Sequence, residues 1–406
     1  MGSSLSSRSD ESSVLGLGPP ESKPREGAFA DLTVSEILEQ NLLGNAFAMQ
    51  SLFAARGGDE LGATATPTDF STRAQALFSQ IDTDANGFLS ADEIDAAVVD
   101  RSYRGPDAAV VATLNQLAGE LEELSNDEWG DEDDGPSLAD LTAYERTRSV
   151  AGGLRERVEA RYAYGASRIA AGSPDLYGPT GVPDVSGVNQ GVLGDCYFLA
   201  AVAAVVARDP SDITALIADN LDGTYTVTFP NQVAQTVTGP TDAELAQYAV
   251  SKGNGFWVTI LEKAYGQIQS PDSTIPEEGA DSGLGTAASG IAFLTGHSTN
   301  LDLLAANERD TTRDRLTSAF ADGRVVTAGI RNAMPWTDGR NDIDLPMGHA
   351  YSVIGWDAAS EVLTLRNPWG HAERNDDTDV VDDGTFTMTL DEFLANFTTI
   401  AYEGSE

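Results

Sequence analysis

The sequence predicts an α+β protein in which an all-α region precedes a body with a helical half and a sheet-rich half. From residue 67 to 150, apolar residues recur only at helical spacing. After residue 190, helical patterns come first and strand-like apolar runs follow, which is the order expected of an α+β body. The 406 residues are enough for two or three domains of ordinary size.

The first 66 residues carry no predicted domain. Residues 1–31 are rich in serine, glycine, proline and charge, so we expect a disordered tail. Residues 32–66 combine one amphipathic helical pattern with a linker rich in glycine, threonine and proline. Neither a secretory signal nor an apolar run of membrane-spanning length is visible, so we expect a cytoplasmic protein without a membrane span.

The all-α region at residues 67–150 contains four apolar patterns, which predict four helices. The fourth begins at Leu138 and is expected to continue past Arg157. Residues 151–187 extend this helix and then pass through a Gly/Pro-rich linker, which we expect to lead into the body at residues 188–406.

An acidic loop between the first two predicted helices has the residue order of a calcium site. Its sequence, DTDANGFLSADE at residues 82–93, fits the twelve-residue EF-hand loop, with glycine at the sixth position and glutamate at the twelfth. The alternative is an acidic surface turn. We predict calcium as the cofactor, with ligands from Asp82, Asp84, Asn86, the Phe88 carbonyl, Ser90 and Glu93.

A second acidic loop lies between the next two predicted helices, and EF-hands usually occur in pairs. Its candidate ligands are Asp131, Asp133 and Asp140. However, Trp129 stands at the first ligand position, and Asp140 is shorter than the usual glutamate. We therefore predict an EF-hand pair whose second hand is degenerate, and both metal binding and a solvated acidic loop remain open for it.

The net charge of the chain limits the classes of partner that it can bind. A formal net charge of −40 repels nucleic acid phosphates and anionic lipids, and it suits multivalent cations or high salt. The single cysteine cannot form an internal disulfide. A lone cysteine is by default a small buried apolar residue, and it becomes a candidate nucleophile only when a histidine and an asparagine or aspartate occur in suitable contexts.

Cys196 occurs in such a context. In QGVLGDCYFLAA, at residues 190–201, a glycine-containing turn delivers Cys196 to the start of an apolar helix. The N-terminus of a helix favours a thiolate, which predicts a lowered pKa for this cysteine. Gln190 precedes it by six residues, and its amide could join the Cys196 N–H in binding an oxyanion.

The expected partners of Cys196 are His349 and Asn367. His349 heads a buried-looking strand in GHAYSVIGW, and Asn367 ends the next strand in LRNPWG. Residues 357–361 have the composition of a turn, so we expect the two strands to form a hairpin that places these side chains together. Asn367 would then accept a hydrogen bond from the imidazole and fix its tautomer.

Five segments, in this order, resemble the calpain family of papain-like cysteine proteases: QGVLGDCYFLAA, WVTILEKAY, GHAYSVIGW, RNPWG and DGTFTMTLDEFLANF. The resemblance covers about residues 180–400 and implies a papain/calpain-like core of two subdomains with the active site between them. It gives Cys196, His349 and Asn367 the roles of a triad, and Gln190 the oxyanion role. Tyr197 stands where the family usually has tryptophan, and the EF-hand region precedes the core instead of following it.

The resemblance implies a cysteine endopeptidase that cleaves protein or peptide substrates through an acyl-enzyme, and the loop at residues 82–93 predicts that it responds to calcium. Two alternatives remain open. One is a catalytically inactive calcium-binding scaffold, and the other is a transglutaminase-like acyl transferase, for which an aspartate would be expected in place of Asn367. We also expect the region before the core to restrain the enzyme and to be cut by it.

Overall fold

The computed structural model describes residues 69–125, 135–270, 286–304, 309–330, 343, 345–371 and 383–404. The predicted tail and the amphipathic helix with its linker lie outside these ranges. The described residues form helices and two antiparallel sheets, which confirms the prediction of a mixed α and β protein. Within the same ranges, no helix combines the length and the apolar character that a membrane crossing requires.

The described residues before 172 are helical and are called the helical lobe below. Its helices are α1 (Asp69–Ile81), α2 (Ala91–Val98), α3 (Pro106–Glu122), α4 (Leu138–Tyr144) and α5 (Leu154–Ala170).

The last two helices of the lobe are separate, so the prediction of one helix continuing past Arg157 is wrong. Gly152 has a φ of 71°, a left-handed conformation that a continuous helix cannot contain. Gly153 is then the N-cap of α5 in extended backbone. Helix α4 has already ended at Tyr144, so the two helices are separated by irregular backbone, and Gly153 marks only the start of α5.

The helical half of the body surrounds one fully apolar helix. Its helices are α6 (Cys196–Arg208), α7 (Pro210–Thr214), α8 (Asp242–Gln247), α9 (Trp257–Gln269) and α10 (Ala287–Thr295). In α6, the eleven residues from Cys196 to Val206 are all buried, because the sequence is apolar on every side. A small antiparallel sheet packs beside these helices, with strands β1 (Ile217–Asp219), β2 (Thr224–Val227) and β3 (Gln235–Thr238).

The sheet-rich half is built on six antiparallel strands. Their order across the sheet is β4-β9-β5-β6-β7-β8. The strands are β4 (Thr299–Leu303), β5 (Val326–Ile330), β6 (His349–Asp357), β7 (Val362–Arg366), β8 (Thr385–Thr389) and β9 (Thr399–Glu403). Helices α11 (Arg309–Ala321) and α12 (Leu390–Asn396) pack against this sheet. Strands β6 and β7 form the predicted hairpin, with Asp357 opposite Val362.

The Gly/Pro-rich stretch at residues 172–189 is attached to the body at two points. Tyr177 makes an antiparallel bridge to Gly255, and Asn189 makes another to Val250. Between them, Val185–Gly187 forms one turn of 3-10 helix. This stretch, expected to be an extended linker, is thus tied down by backbone hydrogen bonds at both ends.

The helical lobe and the body share a buried cluster. Ala243 of α8 belongs to the same apolar cluster as the buried residues of α1 to α5. Gly165 of α5 is close enough to Ala109 and Ala246 that an added Cβ would lie 3.7 Å and 3.2 Å from their methyl groups. The Thr241 hydroxyl donates to the Val98 carbonyl over 2.6 Å, in a fully buried contact between the lobe and the N-cap of α8.

Candidate active site

Cys196 is the first residue of α6, and a tightly held loop places it there. Gly191 in that loop lies so close to α8 that an added Cβ would be 1.7 Å from the Gln247 carbonyl oxygen. The same oxygen accepts a hydrogen bond of 2.7 Å from the Val192 N–H. Only glycine fits at residue 191, which gives a physical reason for the Gln-Gly sequence before the cysteine.

The Cys196 thiol is buried. Burial raises its pKa to about 12, against the smaller opposing effect of hydrogen bonds from the Ala350 and Tyr197 backbones. The carboxylate of the preceding Asp195 raises it further. The sequence-based expectation of a thiolate at the helix N-terminus therefore does not describe this state, because desolvation outweighs the helix end.

His349 and Asn367 meet as the hairpin predicts. His349 begins β6, Asn367 follows the last residue of β7, and His349 Nε2 lies 2.8 Å from Asn367 Oδ1. Since an amide oxygen can only accept, the ring donates from Nε2, and Nδ1 remains the basic nitrogen. Among the described residues, no hydrogen bond joins this ring to Cys196. Burial lowers the pKa of His349 to about 4, and the bond to Asn367 opposes that effect.

Trp369 covers the His349–Asn367 pair. Its ring centroid is 4.3 Å from that of His349, and its backbone N–H donates to Asn367 Oδ1 over 2.9 Å. Asn367 Oδ1 therefore accepts two hydrogen bonds, which fixes the side chain that orients the imidazole. Because Trp369 is itself buried, it keeps water from the pair.

Gln190 lies in the same region, and its backbone is joined to the Asn367 side of the site. The Gln190 N–H donates to the Pro368 carbonyl over 2.8 Å. Its side-chain Nε2 donates to the Leu193 carbonyl over 2.7 Å. An amide nitrogen has two protons, so one N–H remains available for a ligand oxygen.

The body brings α6 and β6 together along their length. The Ser352 hydroxyl donates to the Ala200 carbonyl over 2.7 Å, and Ala350 next to His349 bonds the Cys196 thiol. The four side chains selected from the sequence are thus gathered at one junction of the two halves. Such an arrangement can supply a nucleophile, a base, a group that orients the base and an amide for an oxyanion.

A pair of buried carboxyl groups beside the cysteine was not singled out by the sequence analysis. Asp195 and Glu262 are both fully buried, and Asp195 lies close enough to affect the pKa of Glu262. Burial raises the pKa of Glu262 to about 7, while the Ala249 N–H bound to it over 2.8 Å acts in the opposite direction. The signal was present as a glutamate inside the apolar helix sequence WVTILEKAY.

The 82–93 loop of the helical lobe gathers carboxylates as the sequence predicts. One oxygen from each of Asp82, Asp84 and Glu93 lies within 4.8 Å of the others. Gly87 has a φ of 96°, the left-handed turn required at the sixth loop position. Asn86 accepts from the Phe88 N–H over 2.8 Å.

Glu93 closes the loop by joining its two ends. Its Oε1 accepts from the Thr83 and Asp84 N–H groups, over 2.7 Å and 3.3 Å. Its Oε2 accepts from the Ser90 N–H over 3.0 Å, completing a capping box at the start of α2. The carboxylate donor set and the turn fit a hard divalent cation such as calcium.

The second acidic loop is described only in part, since Asp131 and Asp133 lie outside the described residues. Asp140 is fully buried, accepting from the Ser125 N–H over 2.8 Å and from the Ser137 N–H over 2.9 Å. The two loops meet through an antiparallel bridge between Phe88 and Ser137. The bridge joins the first loop to the N-cap of α4.

Comparison with known proteins identifies a matching family. The sequence model of one family, described as calpain family cysteine protease, matches residues 173–402. Calpain-9 of Homo sapiens is 26% identical over 249 residues, which cover 52% of this chain and 35% of calpain-9. The calpain-2 catalytic subunit of Mus musculus is 24% identical over 249 residues, covering 52% of this chain and 34% of the subunit.

A plant protein extends the range of similar sequences. The calpain-type cysteine protease DEK1 of Arabidopsis thaliana is 29% identical over 210 residues, covering 47% of this chain and 9% of that protein. The chain spans about a third of the length of calpain-9 and the calpain-2 subunit. Since the family match extends over more than half of its residues, this chain belongs to the calpain family of cysteine proteases.

Proposed function

We propose that this chain is a calcium-responsive cysteine endopeptidase in which Cys196 is the nucleophile and His349 the base. The observation that carries the proposal is the 2.8 Å bond between His349 Nε2 and Asn367 Oδ1, formed beside the helix that begins with Cys196. It leaves Nδ1 as the nitrogen that receives the thiol proton. Membership of a protease family makes peptide bonds the substrate class.

The reaction follows from these positions. His349 Nδ1 takes the proton of the Cys196 thiol as the sulfur attacks the peptide carbonyl carbon. The resulting oxyanion is stabilised by the second Nε2–H of Gln190 and by the Cys196 N–H, which as the first N–H of α6 has no partner within the helix. His349 then gives its proton to the leaving amine, the C–N bond breaks, and an acyl-enzyme remains. A water molecule, deprotonated by His349, attacks the thioester and releases the acid and the thiol.

Substrate entry has to change the neutral, buried state of the pair. Proton transfer from a thiol with a pKa of about 12 to an imidazole with a pKa of about 4 is strongly unfavourable. A shift that exposes the thiol to the substrate, or lets the imidazole approach it, would bring the two pKa values together. We therefore propose that activation acts on the junction of α6 and β6.

A casein or fluorogenic peptide assay, run with and without calcium on wild type and Cys196→Ala, tests the function. We expect calcium-dependent cleavage by the wild type and none by Cys196→Ala. A chain that binds calcium and cleaves nothing would instead be the inactive scaffold. Incorporation of a primary amine into a protein substrate would indicate the acyl transferase.

Calcium responsiveness rests on the 82–93 loop. Asp82, Asp84 and Glu93 would hold the calcium ion, which would supply positive charge to this group of carboxylates. The Glu93→Gln variant should weaken calcium binding and raise the calcium concentration needed for activity. Asp92→Asn is the matched control, because it removes the same charge from an exposed neighbouring residue outside the ligand set. Coinciding calcium titrations of wild type and Glu93→Gln would contradict a role for this loop.

A further inference from the structure

Helix α5 lies before the matched protease region, yet one of its side chains reaches the active-site loop. The family match begins at residue 173, and α5 ends at Ala170. Arg168, in the last turn of α5, is buried, with 7% of its surface exposed. A guanidinium in such a place requires several acceptors, because a buried donor without a partner is costly.

Three of the acceptors of Arg168 are backbone carbonyls of the body. Nε donates to the Leu245 carbonyl over 3.3 Å, and Nη2 donates to the Tyr248 carbonyl. Nη1 donates to the Gln190 carbonyl over 3.4 Å and to the Tyr164 hydroxyl over 2.8 Å. The planar fork of Arg168 thus joins the end of α8 to the residue that carries the oxyanion amide.

The same loop has a second attachment to α8. Val192 donates to the Gln247 carbonyl over 2.7 Å, and Gly191 packs directly on that carbonyl. Gln190 itself is bonded through its N–H to Pro368 and through its side chain to Leu193. The Gln190 backbone is thus held from two sides, and the Gln190 side-chain amide is bonded within the same turn. The position of this backbone therefore sets the direction in which the free Nε2–H of Gln190 points.

We propose that Arg168 is a positioning residue that the helical lobe supplies to the protease body, holding the Gln190 carbonyl so that the Gln190 amide points at the oxyanion. The inference rests on the proposed endopeptidase function. It makes the lobe a structural part of the active site, which goes beyond its role as a calcium-binding region. Arg168 contacts no reacting atom and acts only through Gln190.

The test compares Arg168→Gln, Arg168→Lys and Arg155→Gln in the full chain at saturating calcium. Arg155 is the matched control, because it lies on the same helix and donates to the Glu145 and Thr147 carbonyls within the lobe. The readouts are kcat and KM for a fluorogenic peptide, the inhibition constant of a peptide aldehyde, and the rate at which iodoacetamide alkylates Cys196. The aldehyde forms a tetrahedral adduct that needs the oxyanion site, whereas alkylation does not.

We expect Arg168→Gln to lower kcat about 10- to 100-fold with KM changed less than about twofold, since small displacements of a positioned group cost rates of this order. Aldehyde affinity should fall by a similar factor, and the alkylation rate should stay at the wild-type value. Arg168→Lys keeps the positive charge but loses the planar fork of donors. Its kcat and its aldehyde affinity should therefore lie between those of the wild type and those of Arg168→Gln. Arg155→Gln should behave as wild type in all three readouts.

Several outcomes would overturn the inference. These are a wild-type kcat in Arg168→Gln, an equal loss of kcat and alkylation rate, or the same kcat loss in Arg155→Gln. If Arg168→Gln does not fold, Arg168→Lys becomes the test of the inference. We then expect kcat to fall at least about threefold while the alkylation rate of Cys196 stays unchanged. A wild type that is alkylated at Cys196 but cleaves no peptide would defeat the proposed function, and an active wild type matched by its Arg168 variants would defeat this inference alone.

Discussion

The protonation state of the Cys196–His349 pair can be measured with one reagent, because Cys196 is the only cysteine in the chain. Iodoacetamide reacts with the thiolate, so its rate follows the thiolate fraction. Burial raises the pKa of Cys196 to about 12 and lowers that of His349 to about 4. Between about pH 4 and about pH 12 both groups are therefore expected to be neutral. The dependence of the alkylation rate on pH tests this expectation.

The magnitude follows from these two pKa values. Below its pKa, a thiol gains about tenfold in thiolate for each pH unit. At pH 7, five units below about 12, the thiolate fraction is about 10⁻⁵. The alkylation rate should therefore rise about 10⁴-fold between pH 5 and pH 9 without levelling off. An ion pair with a thiol pKa of about 3–4 would instead give a nearly constant rate over that range.

The assay is mass-spectrometric counting of the single carbamidomethyl group against time in calcium-free buffer. His349→Ala is the control, because removing a neutral imidazole should leave the slope of the profile unchanged. A plateau above pH 5 in the wild type, abolished in His349→Ala, would refute the neutral pair. The same profile with saturating calcium tests whether activation changes the pair, since a plateau appearing only then would place that change at the active site.

Three further predictions concern the triad, a buried ion pair and the net charge. Asn367→Ala should retain more peptidase activity than Cys196→Ala, since Asn367 only orients His349; equal residual kcat values would contradict this. Lys263→Met should lower the free energy of unfolding in urea titrations by about 3–5 kcal/mol, because the 2.6 Å contact from Lys263 Nζ to the buried Glu244 carboxylate would be lost. The double variant Lys263→Met/Glu244→Gln should recover part of this lost stability. The melting temperature should rise with KCl up to about 1 M, because the net charge of −40 is screened, and a flat dependence would exclude self-repulsion as a destabilising factor.

Sequence reasoning succeeded where local patterns and tertiary packing agree. The β6–β7 hairpin followed from a turn at residues 357–361 between two apolar runs, and it brought His349 and Asn367 together. Helix α6 followed from an apolar run after a glycine-containing turn. Both features depend on neighbours in sequence, which a pattern can detect.

Other features depend on distant residues and were missed or mistaken. Strands β4 and β9 pair Thr299 with Glu403 across the whole sheet-rich half, so no local pattern indicates that pairing. The thiolate expected at Cys196 was wrong for this state, because the burial of α6 depends on packing against β6 and α10. The contacts of Arg168 with Gln190 and Tyr248 likewise join residues 22 and 80 positions apart.

The buried cluster that contains Ala243 has a consequence for cooperativity. A lobe that closes its own core can unfold independently, whereas the helical lobe completes its core with a residue of the protease body. Calorimetry should therefore show both parts melting in one transition, with equal calorimetric and van't Hoff enthalpies. Any ion that binds the lobe then also stabilises the body by linkage. The gain in the free energy of unfolding is RT ln(1 + [L]/Kd), where [L] is the free ion concentration and Kd its dissociation constant. With calcium in the 82–93 loop, as proposed above, the resistance of the body to heat and proteolysis would follow the calcium concentration around the protein.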